Sequence, residues 1–188
     1  MARYHGINTN TYKKLAIDQC AVYRNYGEGG ELKLGASRGG STFTIEQDFR
    51  TMEVDGAKGP VKGDTRITAV RAILAVNFVE LSKEVYNMVL PGSTIADYPT
   101  TPGKTHDEIT RALQIALTDY IDNIVAVGQI SGSDQPVICG IQNVLAKDNF
   151  EQSFQPNDEG VIAVKFTAHF TPEDLDSEPW FIRYPEIT

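Results

Sequence analysis

The chain has 188 residues, 41% of them apolar and 22% charged, and its 25 acidic and 17 basic side chains leave a net charge of −8. That length supports one core burying about 70% of the unfolded surface rather than two cores, and no run approaches the roughly 18 uninterrupted apolar residues of a membrane helix. The acidic balance argues against gripping nucleic acid, where Lys and Arg supply most of the affinity, though nucleic acid could still pass nearby. The start MARYHGINTN lacks the apolar stretch of a secretory signal, so a soluble single domain made in a cytoplasm is expected.

The first strong regularity follows LGASRGG at 34–40: Phe43, Ile45 and Phe49 alternate with Thr42, Thr44, Glu46, Asp48 and Arg50, which reads as a half-buried strand. The apolar phase then shifts by one, to Met52 and Val54, so a bulge is expected near Arg50 and Thr51. The loop VDGAKGPVKG sets Gly56, Gly59 and Gly63 around Pro60. Ordering glycines costs more chain entropy than ordering other residues, so such a loop reads as a shaped contact surface between subunits; a surface loop with no partner is the alternative. Val70, Ala72, Leu74, Val76 and Phe78 line one face of a returning strand, which makes a long hairpin with an oversized tip.

Ser82 caps a short helix through Leu90, with Tyr86, Val89 and Leu90 on one face and Pro91 and Gly92 to stop it. The segment GSTIADYPTTPGK, 92–104, reads as an irregular crossing. From Thr105 to Ile121 the period is ambiguous. Ile109, Ala112, Leu113, Ala116, Leu117, Tyr120 and Ile121 fit a helix with a capping box at Thr105 and Glu108, while Ile109, Leu113, Ile115 and Leu117 also alternate; spacing alone slightly favours the helix. NIVAVGQIS, PVICGIQNVLA and GVIAVKFTAHF, separated by GSDQ and QPNDEG, read as strands, with Ile162, Val164, Phe166, Ala168 and Phe170 facing inward. The tail TPEDLDSEPWFIRYPEIT holds three prolines and the single tryptophan and is expected as an extended arm rather than a sheet member.

Local motifs for chemistry lose to structural readings. GAKGPVKGDT around Lys58 and Lys62 lacks the Gly-Lys-Ser/Thr end of a phosphate loop, and Pro60 removes a backbone donor. His5, His106 and His169 are scattered, the pair Cys20 and Cys139 has no metal-ligand spacing and reads as free thiols, and there is no nucleophile elbow. Neither a cofactor nor a metal is indicated. Glu46 and Asp48 share a strand face, a solvated one unless subunits close the sheet into a ring, in which case that face would line a channel.

Taken together, AVYRNYGEG, LGASRGGSTFTIEQDFR, EVDGAKGPVKG, TDYIDNIVAVGQISGSDQPVICGIQNVLA and VKFTAHFTPEDLDSEPWFIRYP resemble, in order and over nearly the whole chain, the tail tube proteins of tailed bacteriophages. The resemblance implies a mainly β protein, a β-sandwich or barrel-like tail tube fold over residues 1–188 with one short flanking helix. It also implies a long hairpin loop at 55–65 and extended arms at 1–15 and 172–188. It implies no enzymatic activity but self-assembly into stacked hexameric rings, the conduit for DNA ejection in the virion tail. The other partners would be a tape measure protein and tail terminator and initiator proteins, with double-stranded DNA passing through unbound and no membrane.

Carried onto this sequence, Arg38, Val54, Asp55, Gly56, Lys58, Gly59, Pro60, Val61, Lys62, Gly63 and Trp180 would lie at subunit or ring interfaces, and Glu46 and Asp48 would face the lumen. The resemblance also makes Glu108–Leu117 extended. Six copies would carry −48 per ring, a wall past which DNA slides rather than sticks. Two rivals are a monomeric ligand-binding β-barrel, which needs an apolar cavity, and a cryptic hydrolase, which needs a cluster of titratable groups in a cleft.

Overall fold

A computed structural model of the chain describes residues 6–8, 10–101, 104–154, 156 and 159–187. The fold is mainly β, with one α-helix. The alternation read from the sequence becomes β3 (Ser37–Thr51) and β4 (Thr65–Phe78), paired antiparallel from Ser37 opposite Phe78 to Thr51 opposite Thr65. Ala72, Leu74, Val76 and Phe78 are buried, as the period of two requires.

Around this hairpin the sheet is ordered β2-β1-β7-β8-β9-β4-β3, all antiparallel. Its other members are β1 (Ala16–Arg24), β2 (Leu32–Lys33), β7 (Ile121–Ile130), β8 (Val137–Ala146) and β9 (Ile162–Thr167). One edge of β8 is shared: Leu145 and Ala146 pair with β9, whereas Ile138 to Ile141 pair with β10 (Trp180–Arg183). β8 therefore belongs to both halves of the sheet. Phe43 of β3 meets Trp180 of β10 edge to face at 6.4 Å, so the far edge has curled back over β10 into a sandwich-like core.

Phe78 and Phe166 pack at 6.3 Å in that core, among Leu74, Ile124, Ile141, Val144, Ile162 and Val164. One end is closed by α1 (Lys83–Val89). Ser82 caps it by accepting the Val85 N–H at 3.3 Å, and Val85, Met88 and Val89 are its buried face. Tyr86 is only half-buried, donating its hydroxyl to Gln152 at 2.9 Å. Lys83 reaches Asp107 at 3.2 Å, and that hydrogen bond raises its ammonium above the usual range.

Four expectations are corrected. The crossing at 92–104 is strand β5 (Ser93–Thr101), and Thr105–Ile121 is no helix: β6 (Lys104–Arg111) pairs with β5 as a separate two-stranded ribbon. A helix there would have had no core for its apolar face, since Leu113 is fully exposed. The extended reading holds to Arg111 but not to Leu117, where a 3-10 turn (Leu117–Asp119) begins, with Ala116 N–H bonded to Asp119 Oδ2 at 2.7 Å.

Third, the irregularity in the long hairpin lies between Asp48 and Phe49, not at Arg50 and Thr51, and its extra residue is Thr68 on the returning strand. Fourth, the C-terminal tail is not wholly an arm. Pro179 and Pro185 flank WFIR without interrupting it, so these four residues pair with β8. The Phe181 ring lies over Gly140, where an added Cβ would approach it to 2.3 Å, so only glycine lets this strand seat.

At the N-terminus, residues 1–5 and 9 of the expected arm lie outside the described residues. Thr11–Lys14 forms a 3-10 turn docked on the β7–β8 connection, where Ser131 donates its hydroxyl to Tyr12 O and its N–H to Leu15 O. Of the spacer QPNDEG, residues 155, 157 and 158 lie outside the described residues, as does His5. Cys20 and Cys139 are free and half-buried on strands flanking β7, about 10 Å apart by strand spacing and so beyond bridging reach. Burial, and secondarily Cys20, raises the Cys139 thiol.

Candidate subunit interface

β4 has two neighbours only from Ile73 to Phe78, where β9 pairs with it; outward from Arg71 and Glu46 no further strand pairs with the hairpin among the described residues. Five or six further residues on each strand carry it about 20 Å beyond its pairing with β9 before the loop begins. No strand pairs with the outer edge of β3 among the described residues, so its outward backbone groups are left without a ladder partner.

The two faces of this arm differ. Register and alternation place Phe43, Ile45, Gln47 and Phe49 on the face that forms the core nearer the sheet. Past the core that apolar face continues with nothing on it: Phe49, opposite Ile67, is 59% exposed and Ile67 53%. Val54 and Val61 add 68% and 57% exposed side chains at the tip.

The other face carries Glu46, Asp48 and Arg50. Arg71 lies 3.8 Å from Glu46 and 3.9 Å from Asp48, so one guanidinium serves both carboxylates. Arg50 stands directly opposite Arg66. Among the described residues neither Arg50 nor Arg66 has an ion pair or a side-chain hydrogen bond. Over these five residues the net charge is +1, so this strip of the hairpin face is not acidic.

The tip is two nested turns. Met52 N–H bonds Asp64 O at 2.9 Å, Asp64 Oδ2 accepts the Val61 N–H at 2.7 Å, and Ala57 N–H bonds Val54 O at 3.1 Å. Gly56 and Gly63 take φ of +92° and +100°, conformations that side-chain-bearing residues rarely adopt. Asp55, Lys58, Gly59, Pro60 and Lys62 are exposed around these turns. The structure thus brings eleven of the residues singled out from the loop and strand onto one arm: Val54, Asp55, Gly56, Lys58, Gly59, Pro60, Val61, Lys62 and Gly63 at the tip, with Asp48 and Glu46 nearer its root.

Arg38 and Trp180 are elsewhere and engaged within the chain. Arg38 pairs with Glu159 at 3.1 Å, next to Gly39 and Gly40, which with φ of +82° and +83° put two extra residues into β3 opposite Asn77. Trp180 packs on the core beside Phe43 and donates its indole N–H to Glu178. Two features went unread in the sequence. Arg71 was visible only as an interruption between apolar residues, and the facing of Arg50 and Arg66 depends on the Thr68 bulge, which no period reveals.

A second exposed apolar stretch, Leu113, Ile115 and Leu117, leaves the β5–β6 ribbon and is tied down by Ala112 N–H to Gly92 O at 3.0 Å. Among the described residues no three His, Cys, Asp or Glu side chains are grouped to hold a metal ion, and no helix is long and apolar enough to cross a membrane. No protein-family model matches the chain, and no curated protein matches it.

Proposed function

We propose that this chain is a structural virion protein that polymerises into the tail tube of a tailed bacteriophage, as stacked hexameric rings through which the genome is ejected. The observation that carries the reading is the β3–β4 arm. It continues beyond its pairing with β9, keeps Phe49, Ile67, Val54 and Val61 in water, and leaves a strand edge unpaired, features that a second copy satisfies and a monomer does not. Identical units joined by such unlike surfaces form rings when the rotation closes and filaments when they stack. On this reading the further partners are a tape measure protein and terminator and initiator proteins, and DNA transits without specific binding.

The electrostatic part of the reading rests on the whole-ring charge rather than on Glu46 and Asp48, which share Arg71. Screening confines any such effect to DNA within about 8 Å of the wall. A ligand-binding barrel is less well supported, because Phe78, Phe166, Leu74 and Ile141 fill the interior. The test replaces residues 52–64 with a two-residue turn and compares sedimentation with the unaltered chain. The unaltered chain is expected to form large assemblies and the shortened one to remain monomeric; equal assembly by both would refute the role of the arm.

A further inference from the structure

Two arginines placed directly opposite each other on an antiparallel pair repel, and Arg50 and Arg66 do so without a compensating carboxylate among the described residues. Lower on the same face Arg71 has two acidic partners, whereas Asp64, the carboxylate two residues from Arg66, is taken up by the Val61 N–H and the Thr65 hydroxyl. The chain holds the matching surplus on another element. Between β9 and β10, Asp174 folds the loop by accepting the N–H groups of Asp176 and Ser177 at 3.3 and 3.2 Å, and Glu178 accepts the Trp180 indole N–H. Glu173 and Asp176 are left with no side-chain partner among the described residues, on either side of Leu175, which is 69% exposed.

We propose that the Arg50–Arg66 pair is a receptor for the Glu173–Asp176 loop of a second copy of this chain. The inference rests on the self-assembly reading and names the contact it uses. Within one chain, among the described residues, no ion pair or side-chain hydrogen bond joins Arg50 or Arg66 to Glu173 or Asp176, so both charged pairs remain open to a second copy. The loop is held by its Asp174 turn and by the pairing of β10 with β8, and the arginines are held by the ladder, so both sides are pre-formed and little ordering is lost on docking. Met52, on the Arg50 face, is 43% exposed and is the apolar contact open to Leu175.

The test is a charge exchange on the full chain. Arg50→Glu with Arg66→Glu forms the first variant, Glu173→Arg with Asp176→Arg the second, and all four changes the third; circular dichroism and thermal unfolding show that each is folded. The first two variants are each expected to need about tenfold more protein to assemble, because opposed pairs become like charges, and to recover when mixed one to one. The third variant recovers alone. Assembly of the first variant like the unaltered chain, or no recovery in the third, overturns the proposal while leaving the tube reading in place. If the unaltered chain stays monomeric at every concentration, both fail. If charge reversal of the arm spares assembly and abolishes retention of duplex DNA, the arginines serve phosphate and the proposal is likewise overturned.

Discussion

Replacing Phe49 by serine separates a residue kept for the chain's own fold from one kept for a neighbour. Phe49 is 59% exposed and stands opposite Ile67 across the hairpin, outside the core cluster. A phenylalanine buries about 200 Å² when fully covered, so about 120 Å² remains for a partner, worth about 3 kcal/mol at 25 cal/mol per Å². The loss of the cross-strand pair within the monomer is about 1 kcal/mol or less. Phe49→Ser should therefore shift urea unfolding of dilute protein only slightly, while weakening association by up to about a hundredfold per contact in sedimentation velocity. A variant that lost about 3 kcal/mol of folding stability yet associated normally would refute the reasoning, because Phe49 would then be serving its own core.

Gly140→Ala should lift the Phe181 ring from the sheet and undock β10 at a cost of about 1–3 kcal/mol. Trp180, the single tryptophan, reports this directly, and unchanged emission would contradict the packing. Asn123 is buried, accepts the Tyr26 N–H at 2.7 Å and donates to Glu28 at 3.3 Å, so Asn123→Ala should cost about 1–3 kcal/mol in thermal unfolding. His169 is held neutral mainly by burial, below its ordinary value of 6.5, with Nδ1 against Asn143 O and Lys147 nearby. The unfolded chain then takes up the proton first, so stability is constant above pH 6.5, falls as the pH drops through it, and levels off once the folded form is also protonated. His169→Gln should flatten that slope; an identical pH profile would remove His169 as its cause.

Elements whose apolar side chains meet the core were legible in the sequence. β4 alternates from Ala72 to Phe78 because one face is buried, and α1 begins at Ser82 because a hydroxyl satisfies an orphan N–H there. β5 was not legible, since its backbone bonds go to β6 and not to the core, and the exposed Ile95 and Tyr98 mark no buried face. The helix period across Ile109, Leu113 and Leu117 misled because those side chains have no core to meet. β10 was hidden by its prolines, and it depends on Gly140, forty residues earlier. The tip was legible from its glycines and Pro60, but the two faces of the arm depend on register, and register depends on the Thr68 bulge.

Electron microscopy of the purified full-length protein tests the central claim most directly. Six-fold rings or hollow filaments, with the arm of each subunit lying against another copy, are the result this account predicts. Dispersed monomers with the arm free at every protein concentration, including in the presence of tail initiator complexes, would contradict it.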